Sequence, residues 1–169
     1  MNALSYGVIV GAVLILYSLL LFLLGMHTNK YLGYVGYVFL IAGMVWGTLE
    51  YRKKYLGGFM SYGKAFMSCF MTGLYAGLIL GVYMYVFAQF IHPGFIQEML
   101  DLSRQAMYES NANMTEEQVE QALEISAKFM SPVMMAVWAF VGYLFVSAII
   151  GLIAAIFLKK EDKSVSPMV

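Results

Sequence analysis

The sequence predicts an all-α polytopic membrane protein with four transmembrane helices and an extracytoplasmic helical hairpin between the third and fourth. Three observations carry that prediction. Residues 3–25, 31–49, 65–91 and 132–158 form apolar stretches without one charged side chain. Hydrophobic residues make up 62% of the 169 residues and charged residues only 12%, which is more apolar surface than a soluble domain of this size hides. A single polar, acidic insertion, residues 92–131, breaks the pattern.

The first stretch is long enough to span, since about twenty residues at 1.5 Å rise match a hydrocarbon core of roughly 30 Å. A secretory signal is the competing reading. Residues 1–6 carry no lysine or arginine and no small-x-small cleavage site follows Leu24, so the stretch reads as a retained helix. The second stretch ends at a charged cluster, Glu50, Arg52, Lys53 and Lys54, which reads as a solvated helix end that meets anionic headgroups. Gly57 and Gly58 then allow the loop to turn, Ser61 is placed to cap the third helix, Gly63 lets its first turn approach a neighbour, and Lys64 stays at headgroup depth. The third and fourth stretches exceed what a bilayer requires and are expected to tilt or project beyond it. With the tail 159–169 the chain reads as one membrane domain over residues 1–169.

Orientation follows from basic residues beside helix ends. Arg52, Lys53, Lys54 and Lys64 flank the loop between the second and third helices, and Lys159, Lys160 and Lys163 follow the fourth. The other side carries Lys30, Arg104 and Lys128, so seven basic residues against three place both termini on the cytoplasmic side. Tyr31 and Tyr34, then Tyr51, Tyr55 and Tyr62, then Tyr83, Tyr85 and Trp138 fall at the interfacial depths this orientation implies.

The insertion reads as two amphipathic helices. Pro93 and Gly94 end the membrane helix. Ile96, Met99, Leu100, Ala106 and Met107 recur at helical spacing, with Glu98, Asp101 and Gln105 opposite, and Ser110, Asn111 and Asn113 make a turn. Thr115 to Gln118 has the capping-box pattern. Glu116, Glu120, Glu124 and Lys128 then form a solvated stripe, with Glu124 and Lys128 a favourable pair, while Val119, Ala122, Leu123 and Phe129 need cover. That cover comes either from the hairpin and bundle themselves or from a partner protein. Seven acidic residues against two basic ones argue against attraction to anionic lipid.

Inside the membrane segments the clearest pattern is a ridge of small residues, Ala65, Cys69, Gly73, Gly77 and Gly81, supported by Gly7 with Gly11, Gly43 with Gly47, and Ser147 with Gly151. Small side chains let helices approach closely, within one chain or between chains, and the third helix is expected at the centre. Ser18, Ser68, Cys69, Thr72, Ser147 and tyrosine hydroxyls interrupt the apolar interiors without adding a charge, which counts against proton-coupled transport. Cys69 is the sole cysteine and excludes a disulfide within the chain. His27 and His92 fall at outer boundaries without HExxH or ExxH spacing and read as interfacial; their shared depth allows them to meet at the outer mouth beside Met26 and the insertion's glutamates. The methionines are scattered without a repeat and read as adaptable packing. No GxSxG, phosphate loop or carboxylate pair occurs.

The order of Tyr51-Arg52-Lys53-Lys54, the run from Gly57 to Phe66, Ile91-His92-Pro93-Gly94, Thr115-Glu116-Glu117-Gln118 and the lysine-ended fourth helix resembles an uncharacterised family of small bacterial four-helix membrane proteins catalogued only as a domain of unknown function. The resemblance covers nearly the whole chain and implies this architecture and a bacterial cytoplasmic membrane, with no activity or site residues. The expected function is that of a non-enzymatic accessory, scaffold or assembly protein. The alternative is a small channel or transporter made by an oligomer through the glycine ridge. No catalytic, metal or cofactor site is implied. The expected partners are the bilayer and either a membrane protein or a second copy, not nucleic acid.

Overall fold

The computed structural model describes residues 3–110 and 114–160, so Asn111, Asn113 and Lys163 lie outside the described residues. The described elements are helices: α1 (Ala3–Leu23), α2 (Lys30–Tyr55), α3 (Tyr62–Val86) with a π turn (Phe87–Ile91), α4 (Phe95–Ser110), α5 (Glu116–Phe129) and α6 (Pro132–Leu158). Among the described residues there is no strand, only an isolated antiparallel bridge between Met60 and Lys160. Four helices are long and apolar enough to cross a membrane, and they lie where the four apolar stretches predict. The chain divides into two compact units, Met1–Leu80 with Phe140–Val169, and Gly81–Ala139.

In the first unit every long helix buries one narrow stripe. Tyr6, Val10 and Leu14 do so on α1, Leu40, Met44 and Thr48 on α2, Ala65, Cys69, Thr72, Ala76 and Leu80 on α3, and Ser147, Gly151, Ala155 and Leu158 on α6. These spacings of three and four are the inward face of a helix. The remaining faces expose large apolar side chains such as Leu16, Phe145 and Phe157, which suits a hydrocarbon solvent and not water.

The small-residue pairs serve close approach within this unit. A β-carbon on Gly7 would strike Tyr75 and, at 2.8 Å, the Thr72 carbonyl, and one on Gly11 would press on Ile79. Gly47 accommodates Tyr6 and Gly43 accommodates Val10. On α3, Gly73 receives Ser147 and Gly77 receives Tyr143, while Gly151 of α6 receives Phe66 and Cys69. Cys69, Gly73 and Gly77 of the ridge are therefore already covered by α6 of the same chain.

Helix ends follow local chemistry. α1 closes with Gly25 at φ +66°, the Met26 N–H donating to Leu21 carbonyl at 2.8 Å and the Gly25 N–H to Phe22 carbonyl at 2.9 Å, the bond pair of a Schellman cap. The Asn29 side chain caps α2 by accepting from the Tyr31 N–H at 3.0 Å. α2 continues to Tyr55, six residues past the predicted end at residue 49, because Glu50 to Lys54 are good helix formers that leave hydrocarbon without leaving the helix. Gly57 and Gly58, at φ +59° and +91°, make the turn before α3.

The second unit holds the end of α3, the π turn, α4, α5 and the start of α6. In the π turn the His92 N–H donates to the Phe87 carbonyl at 2.8 Å, and Pro93 and Gly94 separate it from α4. Buried Phe87 is ringed by Tyr83, His92 and Phe95, with centroids 5.3–6.1 Å away. α4 and α5 pack on each other. The capping box of α5 is complete: Gln118 N–H donates to Thr115 Oγ1 at 3.3 Å, and Thr115 N–H to Gln118 Oε1 at 3.0 Å. Ser131 Oγ accepts from the Met134 N–H at 3.3 Å, and Pro132 takes the first position of α6, where its missing N–H costs nothing.

Candidate functional site

Within the second unit, α4 and α5 form the most polar surface of the described chain. Val119 and Leu123 of α5 are buried and Ala122 is half-buried, so three of the four residues expected to need cover have some, while Phe129 does not. α4 is different: none of its residues is buried. Ile96, Met99, Leu100 and Met107 are half-buried, Ala106 is exposed, and Leu102 and Tyr108 stand out into solvent, as do Ile125 and Phe129 of α5. Acidic Asp101 and Glu109 on α4 and Glu116, Glu117, Glu120 and Glu124 on α5 are exposed on the same two helices. A shallow groove of about 380 Å³ on α4 is lined by Asp101, Arg104, Gln105, Tyr108 and Glu109. The Glu124 to Lys128 pair forms at 3.9 Å between side chains more than 70% exposed, a geometry that contributes little stability.

Glu98 departs from the solvated role its helical position suggests. Its carboxylate Oε2 lies 3.0 Å from His92 Nε2, both side chains half-buried, which ties the first turn of α4 to the residue that ends the π turn. A carboxylate is also favoured at that helix N-terminus. The pairing bridges Pro93 and Gly94, so no helical periodicity announces it. His27 belongs to the first unit, where its ring lies edge-on to Phe22 at 5.4 Å.

The first unit contains an interior cluster of hydroxyls and a thiol. Thr48 Oγ1 donates to Ser68 Oγ at 3.1 Å and lies 3.2 Å from Cys69 Sγ, while Thr72 Oγ1 donates to the Ser68 carbonyl at 2.9 Å. All four side chains are buried, and mutual bonding meets the need for partners that burial creates. Thr48 was not among the residues singled out from sequence, because a lone threonine in an apolar run has no distinguishing spacing. The cluster is neutral and offers no group suited to carry a proton across.

Apart from Lys30 at the start of α2, the described basic groups of the first unit gather at one end. Arg52 is partly buried, not simply solvated: its Nη1 donates to the Leu158 carbonyl at 2.8 Å, satisfying a free carbonyl at the end of α6. Lys54 pairs with Glu50 at 2.7 Å. The Met60 and Lys160 backbones exchange N–H···O bonds of 2.7 and 2.8 Å, with the Lys160 ammonium 5.7 Å over the Phe59 ring. Tyr62 Oη donates to the Leu152 carbonyl at 3.1 Å.

The first unit thus has a neutral packed interior and a basic end, and the second carries an acidic, partly apolar helix pair. Residues 5–160 match the model of a protein family described as a protein of unknown function. No curated protein and no solved structure matches the chain.

Proposed function

The chain belongs to the DUF4199 family, whose function is unknown, and on that premise we propose that it is a non-enzymatic accessory or assembly component of the bacterial cytoplasmic membrane, binding a membrane-protein partner through α4 and α5. The observation that carries this reading is α4, a helix with an apolar stripe and no buried residue. Such a face is a docking surface in want of cover. The acidic residues on the two helices repel anionic lipid and a second copy of the pair alike, so the partner that suits this face presents a basic rim around apolar groups.

The distribution of lysine and arginine supports an orientation with both termini cytoplasmic and the α4–α5 pair outside. Occupation of Gly73 and Gly77 by α6 of the same chain speaks against a pore assembled through that ridge.

The test places a photo-crosslinking residue at Tyr108 or Ile125 in native membranes. One discrete protein adduct is expected, with its yield falling several-fold after Glu120→Lys and Glu124→Lys. Adducts to lipid alone, or to a second copy alone, would sink the proposal.

A further inference from the structure

We propose that the basic end of the first unit holds one anionic phospholipid, in a cavity of about 410 Å³ lined by Ala3 of α1, Tyr51 of α2, and Lys64, Met67, Ser68 and Met71 of α3. That volume lies in the range, roughly 300–1,000 Å³, of sites for small organic ligands. The lining is graded as an amphiphile is. Lys64 and Tyr51 place an ammonium and a phenol at the basic end, and Met71, seven residues from Lys64, lies about 10 Å further along α3 at 1.5 Å rise per residue. Met67 and Met71 offer flexible thioethers to an acyl chain, and Ser68 accepts from Thr48, which leaves its own O–H as a donor at the cavity wall.

Charge selects the headgroup. None of the described lining residues is acidic, and the nearby Glu50 is engaged by Lys54 at 2.7 Å. Lys64 stands in the first turn of α3, where the helix dipole disfavours a cation, and an anion bound there removes that conflict. Arg52, Lys53, Lys159 and Lys160 at the same end raise the local concentration of anionic lipid. Inorganic phosphate would answer Lys64 but leave Ala3, Met67 and Met71 uncovered. A zwitterionic lipid would fill the apolar wall without an excess anionic charge for Lys64.

The experiment is native mass spectrometry of the full chain in neutral detergent, titrated separately with phosphatidylglycerol, phosphatidylcholine of the same acyl chains, and inorganic phosphate. One equivalent of phosphatidylglycerol should be retained at least tenfold more tightly than phosphatidylcholine. Lys64→Gln should abolish that preference, Met71→Trp should lower occupancy by filling the wall, and Lys159→Gln should change it less than twofold. Lys64 is exposed, so its variant retains the fold, and protection of Cys69 from thiol reagents in each variant verifies this. Equal retention of the two lipids, or equal loss in Lys64→Gln and Lys159→Gln, would overturn the site in favour of diffuse charge. Complete displacement of the lipid by phosphate would overturn it in favour of a simple anion subsite.

Discussion

The Ser147 side chain occupies the space that a β-carbon on Gly73 would need. Ser147 Oγ is fully buried and has no hydrogen-bond partner among the described residues. Opposite signs follow for the two residues. Gly73→Val should destabilise the chain by about 1–3 kcal/mol through overpacking. Ser147→Ala should be neutral or stabilise by about 1 kcal/mol, because it removes a polar group that burial penalises. Unfolding by sodium dodecyl sulfate in mixed micelles reads both, and a destabilised Ser147→Ala would show that the hydroxyl has a partner after all.

Arg52 joins α2 to the last carbonyl of α6 across 106 residues of sequence. Arg52→Met keeps much of the apolar stem and loses the charge-assisted bond, so a loss of about 1.5–3 kcal/mol is expected in the same unfolding assay. Arg52→Lys should recover only part of it, since a single ammonium on a shorter reach lacks the guanidinium's fixed fork.

Cys69 is fully buried between α2 and α3. Maleimide should leave it unmodified in mild detergent and label it stoichiometrically once the chain is unfolded. Rapid labelling of the native protein would mean that the helices open at the hydroxyl cluster.

The capping box of α5 is a local device and its loss should stay local. Thr115→Ala is expected to cost about 1 kcal/mol. Hydrogen exchange should quicken at the first-turn amides of α5, including Gln118 and Val119, while amides of α1 and α2 keep their protection. Quickened exchange throughout would mean that the second unit supports the first.

The four membrane helices and both polar helices were legible because lengths of apolar sequence, a capping box and a Pro-Gly break are written in neighbouring residues. Which face of each membrane helix turns inward was far less so. In lipid the outward side chains, Leu16 or Phe145, are as apolar as buried Val10 or Leu40, so the periodic contrast that marks a soluble helix vanishes. Small residues are the remaining clue, and Gly7, Gly47, Gly73 and Gly151 do mark inward faces. Contacts such as Arg52 with the Leu158 carbonyl, or Thr48 with Ser68, join residues whose separation in the chain has no repeat to reveal it. The cavity beside Lys64 was likewise hidden, as it is assembled from three helices.

The paired backbone bonds between Met60 and Lys160 bear on how the chain is made. During synthesis the segment between α2 and α3 emerges long before the end of α6, and its Met60 amide must wait until Lys160 has been made. The bridge closes only when the last helix has entered the membrane with the right register and direction. A ribosome that stalls before residue 160, or a helix inserted backwards, leaves that edge open beside Gly57 and Gly58. The clasp therefore reports on α6, since it forms only where the end of that helix has come to lie beside Met60.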